Sequence, residues 1–355
     1  MEPRTISTAR LAAGLELILV AAGCARAIGA EVGAALAEND RCGHGTHGAR
    51  QIDFYVDRLQ RGHVDGSARA TISHDQGGVV RVAGNRAFGQ VAGEFAANLG
   101  TERALSNGVA LVCLAGAGHL GRNGRWAEIA AARQVGSMHF GQGIAKPGPV
   151  APAGGRAGRL NTTPIALGLP GGSDDPIILD CATSAVSGSS IKRAKDRNEL
   201  LDEACLVMMD GRLSSDPDAF LRGEAAVLPF GGFKGFGIAL FAEIASAILA
   251  TGGEVPDHTN SLFSIYFSIP ALMDPAVFRE RFAAFRRRVI ETPPIDAAEP
   301  VVFPGDRARA MRAKTDSDEL PMSQDTIRHM RRAASLVGVE DDLVSRYPEM
   351  TTDGE

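Results

Sequence analysis

The spacing of apolar residues changes along the chain, and each spacing predicts a type of element. Residues 8–39 carry apolar side chains three and four positions apart in an Ala-rich context, which predicts two helices broken near Gly23. Residues 52–59 are also predicted to be helical. The pattern then changes from helix to strand. Residues 70–73 and 79–82 are short runs rich in β-branched side chains, which predicts two strands.

Helix and strand patterns alternate from there to about residue 250. A helix is predicted over residues 88–99, a buried strand over 109–114 and a helix over 126–133. Such alternation predicts an α/β layer in which a sheet lies between helices.

The two ends of the chain are both predicted to be helical. From Pro304 the pattern returns to helix, and Ser323 is a suitable N-cap for the clearest element there. We therefore expect residues 1–67 and 304–355 to form one helical domain, interrupted by an α/β domain over residues 68–303.

Composition and charge argue against several classes of protein. The 355 residues are 45% hydrophobic and 22% charged, which is ordinary for a globular protein with a real core. The net charge of −5 does not support nucleic-acid binding. No apolar run is long enough to cross a bilayer, and no secretory pattern opens the chain. The five cysteines form no CxxC pair and are odd in number, so we expect reduced thiols and a cytoplasmic location.

A glycine turn in the middle of the chain, residues 116–121, has the form G-x-G-x-x-G and carries His119. It follows a predicted strand and precedes a predicted helix, as in a dinucleotide fingerprint. The next strand, residues 136–140, ends without the acid that would hold a ribose. The other interpretation is that the glycines allow a tight turn and present His119 at a strand end as a general acid or base. The third interpretation is that His119 is an ordinary histidine in a surface loop.

Two imidazoles three residues apart, His44 and His47, lie in a glycine-rich loop. One interpretation is a zinc site with His63 as a further ligand, which would suit a zinc-dependent hydrolase. A loop broken by glycines does not hold the pair on one helix face, so we expect no metal. The other interpretation places His47 in a substrate site, with the Thr46 hydroxyl as a hydrogen-bond donor. A flexible polar loop is the alternative to both.

Two further segments are candidates for ligand binding. Residues 229–237 are rich in glycine, contain Lys234 and lead into a predicted helix over residues 238–250. Free N–H groups at a helix start, the helix dipole and a lysine suit a pyrophosphate, although the spacing is not that of a P-loop; a tightly packed turn is the alternative. An apolar strand, residues 177–179, ends in Asp180, which could hold a ribose hydroxyl, orient a catalytic group or order the loop.

In order and spacing, these segments resemble the malate/L-lactate dehydrogenase family, which is distinct from the Rossmann-type lactate and malate dehydrogenases. The resemblance spans nearly the whole chain. The matching segments are residues 46–48 with Tyr55 (the family's S-H-G and Tyr), 119–121 (H-x-G), 180–184 (D-x-A-T-S), 231–237 (G-G-x-K-G-x-G), and 304–306 with Arg312 (P-G-E and a later Arg).

The resemblance implies a nicotinamide-dependent oxidoreductase, usually a homodimer. Its implied fold is α/β, a three-layer α/β/α body with a mixed sheet that is not a Rossmann fold, plus a helical domain that contributes to the substrate site and the dimer. NAD and NADP both stay open as the cofactor, with NADH favoured. The residues that would bind it are Asp180, Cys181, Ala182, Gly232, Lys234 and Arg312.

The resemblance also implies roles around the substrate. His119 is the predicted proton donor, and His47 is a second catalytic group that, with Thr46, hydrogen-bonds the substrate oxygen or carboxylate. Arg50 or Arg122 would supply a cation for the carboxylate. The remaining predicted substrate-binding residues are Gln51 and Tyr55.

Two departures from the family pattern concern the substrate. Gln51 replaces the Arg expected four residues after His47, although Arg50 stands one place earlier. The family's G-T-N-P appears as Asn-Thr-Thr-Pro at residues 161–164. The surroundings of His119, through residue 128, are most similar to the hydroxycarboxylate dehydrogenase branch, whose acids can carry larger side chains than lactate.

We therefore predict reversible hydride transfer between NAD(P)H and the C2 carbonyl of a 2-oxo acid. A reductase of cyclic imino acids such as piperideine-2-carboxylate is the first alternative, because it needs the same hydride geometry on a substrate already protonated on nitrogen. The zinc-dependent hydrolase is the more distant alternative.

Overall fold

The computed structural model describes residues 4–143, 147–172, 175–253, 257–315 and 319–351. Its strands are β1 (Thr5–Ile6), β2 (Thr71–Gln76), β3 (Val79–Ala83), β4 (Val109–Ala117), β5 (Val135–Gly141), β6 (Ile165–Leu169), β7 (Ile177–Cys181), β8 (Leu206–Met208), β9 (Leu213–Ser214), β10 (Ala225–Val227), β11 (Asn260–Ser268) and β12 (Leu320–Pro321).

The helices lie between these strands and after the last of them. They are α1 (Thr8–Ala21), α2 (Arg26–Arg41), α3 (Ile52–Gln60), α4 (Gly89–Asn107), α5 (Gly124–Ala131), α6 (Gly188–Asp196), α7 (Pro217–Leu221), α8 (Phe233–Ile244), α9 (Ile269–Leu272), α10 (Pro275–Ile290), α11 (Asp306–Lys314), α12 (Gln324–Leu336) and α13 (Glu340–Arg346). Single 3-10 turns cover Gly45–His47, Ala49–Gln51 and Pro348–Met350, and a π-helical turn, Ala245–Leu249, continues α8.

A seven-stranded sheet with the order β2-β3-β4-β11-β5-β6-β7 forms the centre of the fold. β3 and β4 pair in parallel and the other neighbours are antiparallel, so the predicted mixed sheet is confirmed. β11 lies between β4 and β5, where Phe263 stands opposite Cys113 on one side and Phe140 on the other. A Rossmann unit would instead set consecutive strands side by side in parallel. The dinucleotide-fingerprint interpretation of residues 116–121 is therefore wrong.

Helices cover both faces of this sheet. On one face, α4 and α5 pack through small side chains and the fully buried Trp126. Gly93 of α4 must be a glycine, because a Cβ there would overlap the Trp126 ring. On the other face, Ala242 and Ala245 of the α8 region pack against Phe140 and Phe263. The predicted three-layer α/β/α body is confirmed.

The helices from the two ends of the chain share one apolar core. Leu15 and Ile18 of α1 pack in the same cluster as Met330 of α12 and Leu343 of α13. The predicted N-cap at Ser323 is confirmed, since its hydroxyl accepts a hydrogen bond from the backbone of Thr326 at 3.1 Å. β1 pairs with β12 and ties the two ends together.

The composition of the chain led to two expectations, one about membrane-spanning helices and one about the cysteine thiols. Within the described ranges, no helix combines the length and the apolar character that a membrane span needs. All five cysteines are free thiols, four of them buried and Cys181 half-buried. The expectation that the thiols are unpaired is confirmed.

Candidate active site

A cleft of about 570 Å³ opens at one edge of the central sheet, where the loops after β4 and β5 meet the loops before β6 and β11. The loop between α2 and α3 and the start of α6 close its other sides. This volume lies within the range of small-molecule sites. Six of the residues predicted from sequence line it: Thr46, His47, His119, Asp180, Cys181 and Ala182.

His119 lies in this cleft with one ring nitrogen fixed from behind. Its Nδ1 is 2.9 Å from the hydroxyl of Tyr55, and the amide Nε2 of Gln90 donates to the same hydroxyl at 2.7 Å. With Gln90 donating to its oxygen, the Tyr55 hydroxyl is free to donate its own O–H to Nδ1 of His119. In that arrangement the neutral ring carries its proton on Nε2. Tyr55 is buried and contacts the imidazole instead of lining the cleft.

Two of the histidines that line the cleft have their imidazole rings next to each other. The rings of His47 and His119 are stacked with centroids 5.9 Å apart. Burial lowers the pKa of His119 to about 3, with further lowering from His47 and Arg58. Burial, His44 and Arg122 lower the pKa of His47 to about 4. Both rings are therefore neutral in the free protein at neutral pH.

The end of α2 holds the loop that carries His47. Asn39 donates from its amide to the His47 carbonyl at 2.9 Å. The Asp40 carboxylate accepts from the backbone N–H of Ala49 at 2.7 Å. These two bonds fix the loop on both sides of Gly48, and thereby the direction in which His47 points.

Gln51, which replaces the Arg of the family pattern, and its neighbour Arg50 lie beside the cleft. Gln51 donates from its amide to the Thr46 carbonyl at 2.7 Å, so it shapes the loop. Arg50 forms an ion pair with Asp325 at 2.7 Å. Both residues line a side pocket of about 320 Å³ that shares Thr46 with the main cleft.

Arg122 is buried behind the cleft and does not line it. Its guanidinium donates to both oxygens of Glu128 at 2.9 and 2.7 Å, and its Nε donates to the Asn39 side chain at 3.0 Å. Arg312 joins the same cluster through Glu128 and Glu38, each at 2.8 Å. Burial opposes ionisation of Glu128, but Arg122 and Arg312 outweigh it and hold its pKa at about 2. Both arginines are thus engaged in an ion-pair cluster that reaches His47 through Asn39.

Asp180 lies in the second-last position of β7, at the cleft. Its carboxylate accepts from the backbone N–H of Gly124 at 2.7 Å, at the start of α5. A Cβ on Gly124 would lie 3.1 Å from Asp180, so a glycine suits this approach. Burial raises the pKa of Asp180, and the hydrogen bond from Gly124 opposes that shift.

The glycine-rich start of α8 lies next to the Asp180 segment in the fold. Phe230 donates from its backbone to the Thr183 carbonyl at 3.0 Å, so the two segments are paired. Gly232 caps the helix with a φ of 65°, which a glycine adopts without strain. Lys234 and Gly232 are exposed and lie outside the cleft lining.

Several polar residues of the site were missed by sequence reasoning. Gln90, Asn123 and Gln142 carry no local signal, since a buried amide looks like a surface one in sequence. Asn161 had a signal, because it lies in the segment that departs from G-T-N-P; Glu243 accepts from its backbone and its amide at 3.0 Å each. Asn260 lines the cleft, and its side-chain oxygen has no hydrogen-bond partner among the described residues.

The three histidines of the zinc alternative are not brought together. His44 lines the cleft with His47, whereas His63 stacks on His258 with ring centroids 3.8 Å apart. Arg58 lies 2.9 Å from Nδ1 of His63. In the described part of the chain, no group of three or more His, Cys, Asp or Glu side chains is arranged to hold a metal ion.

Comparisons with known proteins agree with this geometry. An L-lactate dehydrogenase from Cupriavidus necator is 32% identical over 315 residues, covering 86% of this chain and 89% of that protein. Hydroxycarboxylate dehydrogenase B from Escherichia coli K12 is 28% identical over 314 residues, covering 86% of each.

Solved structures show the same similarity across the fold. A structure from E. coli assigned as a malate/lactate dehydrogenase has a TM-score of 0.90 and 27% identity, covering 98% of this chain and 99% of that one. The delta1-piperideine-2-carboxylate reductase of Pseudomonas syringae has a TM-score of 0.80 and 26% identity, covering 93% and 99%. The sequence profile of the malate/L-lactate dehydrogenase family matches residues 6–331. The resemblance inferred from the motifs is thereby confirmed, and the chain belongs to the malate/L-lactate dehydrogenase family.

Proposed function

We propose that this protein catalyses reversible hydride transfer between NADH or NADPH and the C2 carbonyl of a 2-oxo acid. The observation that carries the proposal is His119, which is held by Tyr55 and presents Nε2 to a cleft in a chain of this family. When hydride reaches the carbonyl carbon, negative charge builds on the oxygen, and an imidazole beside that oxygen stabilises it. General acid–base catalysis of this kind contributes roughly 10²- to 10⁴-fold.

The cleft residues fit a nicotinamide cofactor, which would supply or accept the hydride. Asn260 offers a buried oxygen without a partner in the described ranges, and a carboxamide N–H is a matching donor. Asp180, Cys181 and Ala182 would hold the cofactor along the same wall. Gly232 and Lys234, at the exposed start of α8, would bind its phosphates through free N–H groups and a cation.

On the substrate side, Thr46 and His47 would hydrogen-bond the acid, and Gln51 would act by shaping their loop. Arg122 and Arg312 would position His47 through the buried ion-pair cluster, because their guanidinium groups are already occupied by Glu128.

The side pocket supports a substrate whose tail carries a second anionic group. It adjoins the cleft at Thr46 and Ser189, and both residues line the two cavities. Of its cations, Arg50 is neutralised by Asp325, whereas Lys192 has no acidic partner in the part of the chain that the structure describes. An ammonium without a partner beside an acid-binding cleft attracts a carboxylate, sulfonate or phosphate.

The experiment that tests the function is a panel of 2-oxo acids assayed with NADH and with NADPH at 340 nm. We expect turnover that His119→Ala lowers by roughly 10²-fold or more. Oxidation of NAD(P)H by no 2-oxo acid, or near wild-type turnover in His119→Ala, would overturn the proposal.

Reduction of cyclic imines is a second candidate, because relatives named as delta1-pyrroline-2-carboxylate/delta1-piperideine-2-carboxylate reductases are 28% and 34% identical over the aligned residues. Assays of pyruvate and phenylpyruvate with and without methylamine separate the two. Turnover that requires the amine would favour the imine, and equal turnover without it favours the oxo acid.

We also propose that the protein works as a homodimer in the cytoplasm. Free thiols suit a reducing compartment. The α8 region exposes large apolar side chains that a second copy would cover: Phe233, Phe241, Ile248 and Leu249 are 73%, 58%, 53% and 55% exposed.

A further inference from the structure

The hydrogen-bond chain behind His119 ends at the side-chain amide of Gln90, and only the nitrogen of that amide has a hydrogen-bond partner among the described residues. Gln90 is 3% exposed, and its Nε2 donates to Tyr55, but its Oε1 is buried and has no hydrogen-bond partner among the described residues. A buried acceptor without a partner destabilises the orientation that leaves it so. A half-turn of the amide exchanges its two ends and brings Oε1 to the Tyr55 hydroxyl, which is then able to donate to it.

The two orientations of the amide impose different proton positions on His119. With Nε2 of Gln90 towards Tyr55, the hydroxyl donates to Nδ1 and the ring proton sits on Nε2. With Oε1 towards Tyr55, the hydroxyl donates to Gln90, and the Tyr55 oxygen then accepts from a protonated Nδ1. An amide is the side chain that can present either a donor or an acceptor at one place.

Proton transfer at Nε2 requires a protonated Nδ1 in both directions of the reaction, and the second orientation favours that state. In oxidation, the Nε2 lone pair of His119 takes the proton of the substrate hydroxyl, and the ring becomes an imidazolium; a bound nicotinamide would accept the hydride from C2. In reduction, that imidazolium returns the proton from Nε2 to the oxygen as hydride arrives at C2. Nδ1 is protonated in both states, whereas the neutral ring with its proton on Nε2 can only donate a hydrogen bond.

We propose that Gln90 is a positioning residue whose amide rotation, relayed by Tyr55, switches His119 between a substrate-binding state and a proton-transferring state. This inference rests on the proposed function. It assigns a role to α4, and it gives Tyr55 a role in the relay that does not depend on contact with substrate.

Kinetic variants test the switch. Gln90→Met is similar in shape and keeps neither donor nor acceptor, so we expect kcat to fall about 10- to 100-fold in both directions with KM within about twofold. Gln90→Glu keeps only the acceptor and adds a negative charge, so it should retain more activity than Gln90→Met and shift the pH limbs of both directions upward. Thr101→Val, on the same helix, is the matched control and should behave as wild type, because the buried Thr101 hydroxyl donates to the Ala97 carbonyl of its own helix.

A readout that does not depend on activity separates this inference from the proposed function. The 15N NMR shifts of the His119 ring in the free protein report which nitrogen carries the proton. We expect the proton on Nε2 in wild type and on Nδ1 in Gln90→Glu, with Tyr55→Phe losing the preference. If the ring state is the same in all three, or if Gln90→Met changes only stability or KM, the switch is wrong; absence of any 2-oxo acid turnover in wild type would instead defeat the function.

Discussion

The carboxylate of Asp40 fills the space that a side chain on Gly48 would need. Asp40 accepts from the N–H of Ala49 at 2.7 Å, and a Cβ built on Gly48 would overlap its carboxyl group. Burial raises the pKa of Asp40 to about 7, and the Ala49 hydrogen bond opposes that rise. The glycine between His47 and Ala49 is therefore there because an acid from α2 lies against the loop.

Gly48→Ala should displace the loop that carries Thr46 and His47. We expect kcat/KM to fall about tenfold or more, and the free energy of unfolding to fall by about 1–3 kcal/mol, as for an overpacked site. The measurements are steady-state kinetics and urea melts. Adding Asp40→Ala to Gly48→Ala removes the clash, so the double variant should be less destabilised than the sum of the two single ones. Additive effects would contradict the contact.

Glu128→Ala should lower the free energy of unfolding and should also disturb the position of His47. Its removal leaves Arg122, whose side chain is 2% exposed, without a counter-charge, which costs about 3–5 kcal/mol in buried pairs. The thermal midpoint and the urea midpoint measure this loss. Glu102→Ala, whose carboxylate is 62% exposed and 3.6 Å from Arg133, is the matched control and should change stability by less than about 1 kcal/mol. Equal effects of the two changes would show that the buried cluster does not stabilise the fold.

Local sequence patterns predicted most of the helices and strands, but they did not predict which of these elements lie next to each other in the fold. The helix break near Gly23 and the cap at Ser323 follow from backbone preferences within a few residues, and both were predictable. The position of β11 between β4 and β5 was not, because it depends on pairing across more than a hundred residues. Periodicity carries no information on such long-range register.

The same distinction holds for the site. His47 and His119 stood out because ionisable rings among glycines are unusual, and the fold brings them to one cleft. Arg122 also stood out, but its partner Asn39 is 83 positions away in sequence, so its engagement in a buried cluster could not be foreseen. Gln90 gave no signal at all, since only the tertiary structure sets it behind Tyr55.

Lys192→Met should reveal the side pocket as the site of an anionic tail. We expect kcat/KM for 2-oxoglutarate to fall about fivefold to tenfold, while that for 2-oxopentanoate, which lacks the second carboxylate, is unchanged. Lys195→Met is the matched control, because Lys195 lies on the same helix and pairs with Asp218 at 2.6 Å. A wild-type enzyme that prefers the neutral tail, or a Lys192→Met variant that treats both acids as before, would rule out this use of the pocket.

Ile248→Arg should separate the two copies of the proposed dimer. The side chain is 53% exposed within the apolar α8 region, and a guanidinium buried against a second copy would lack a counter-charge. Light scattering after size-exclusion chromatography should give the mass of two chains for wild type and of one for the variant. Ile72→Arg, at a 44% exposed position on β2, should leave the mass unchanged. A wild-type protein that elutes as one chain would contradict the dimer.

The depressed pKa of His119 predicts how stability depends on pH. The ring titrates near 6.5 when unfolded and near 3 when folded, so between these values the unfolded chain binds a proton that the folded protein does not. The stabilisation is present above pH 6.5 and is lost as pH falls, by about 1.4 kcal/mol per pH unit for one proton. His119→Gln removes this proton, so its urea-derived stability should drop about 2 kcal/mol less than wild type between pH 7.5 and 5.0. Substitution of the exposed His74 by Gln is the control for loss of an imidazole, and it should keep the wild-type drop; if His119→Gln keeps that drop as well, the ring is not held neutral by the fold.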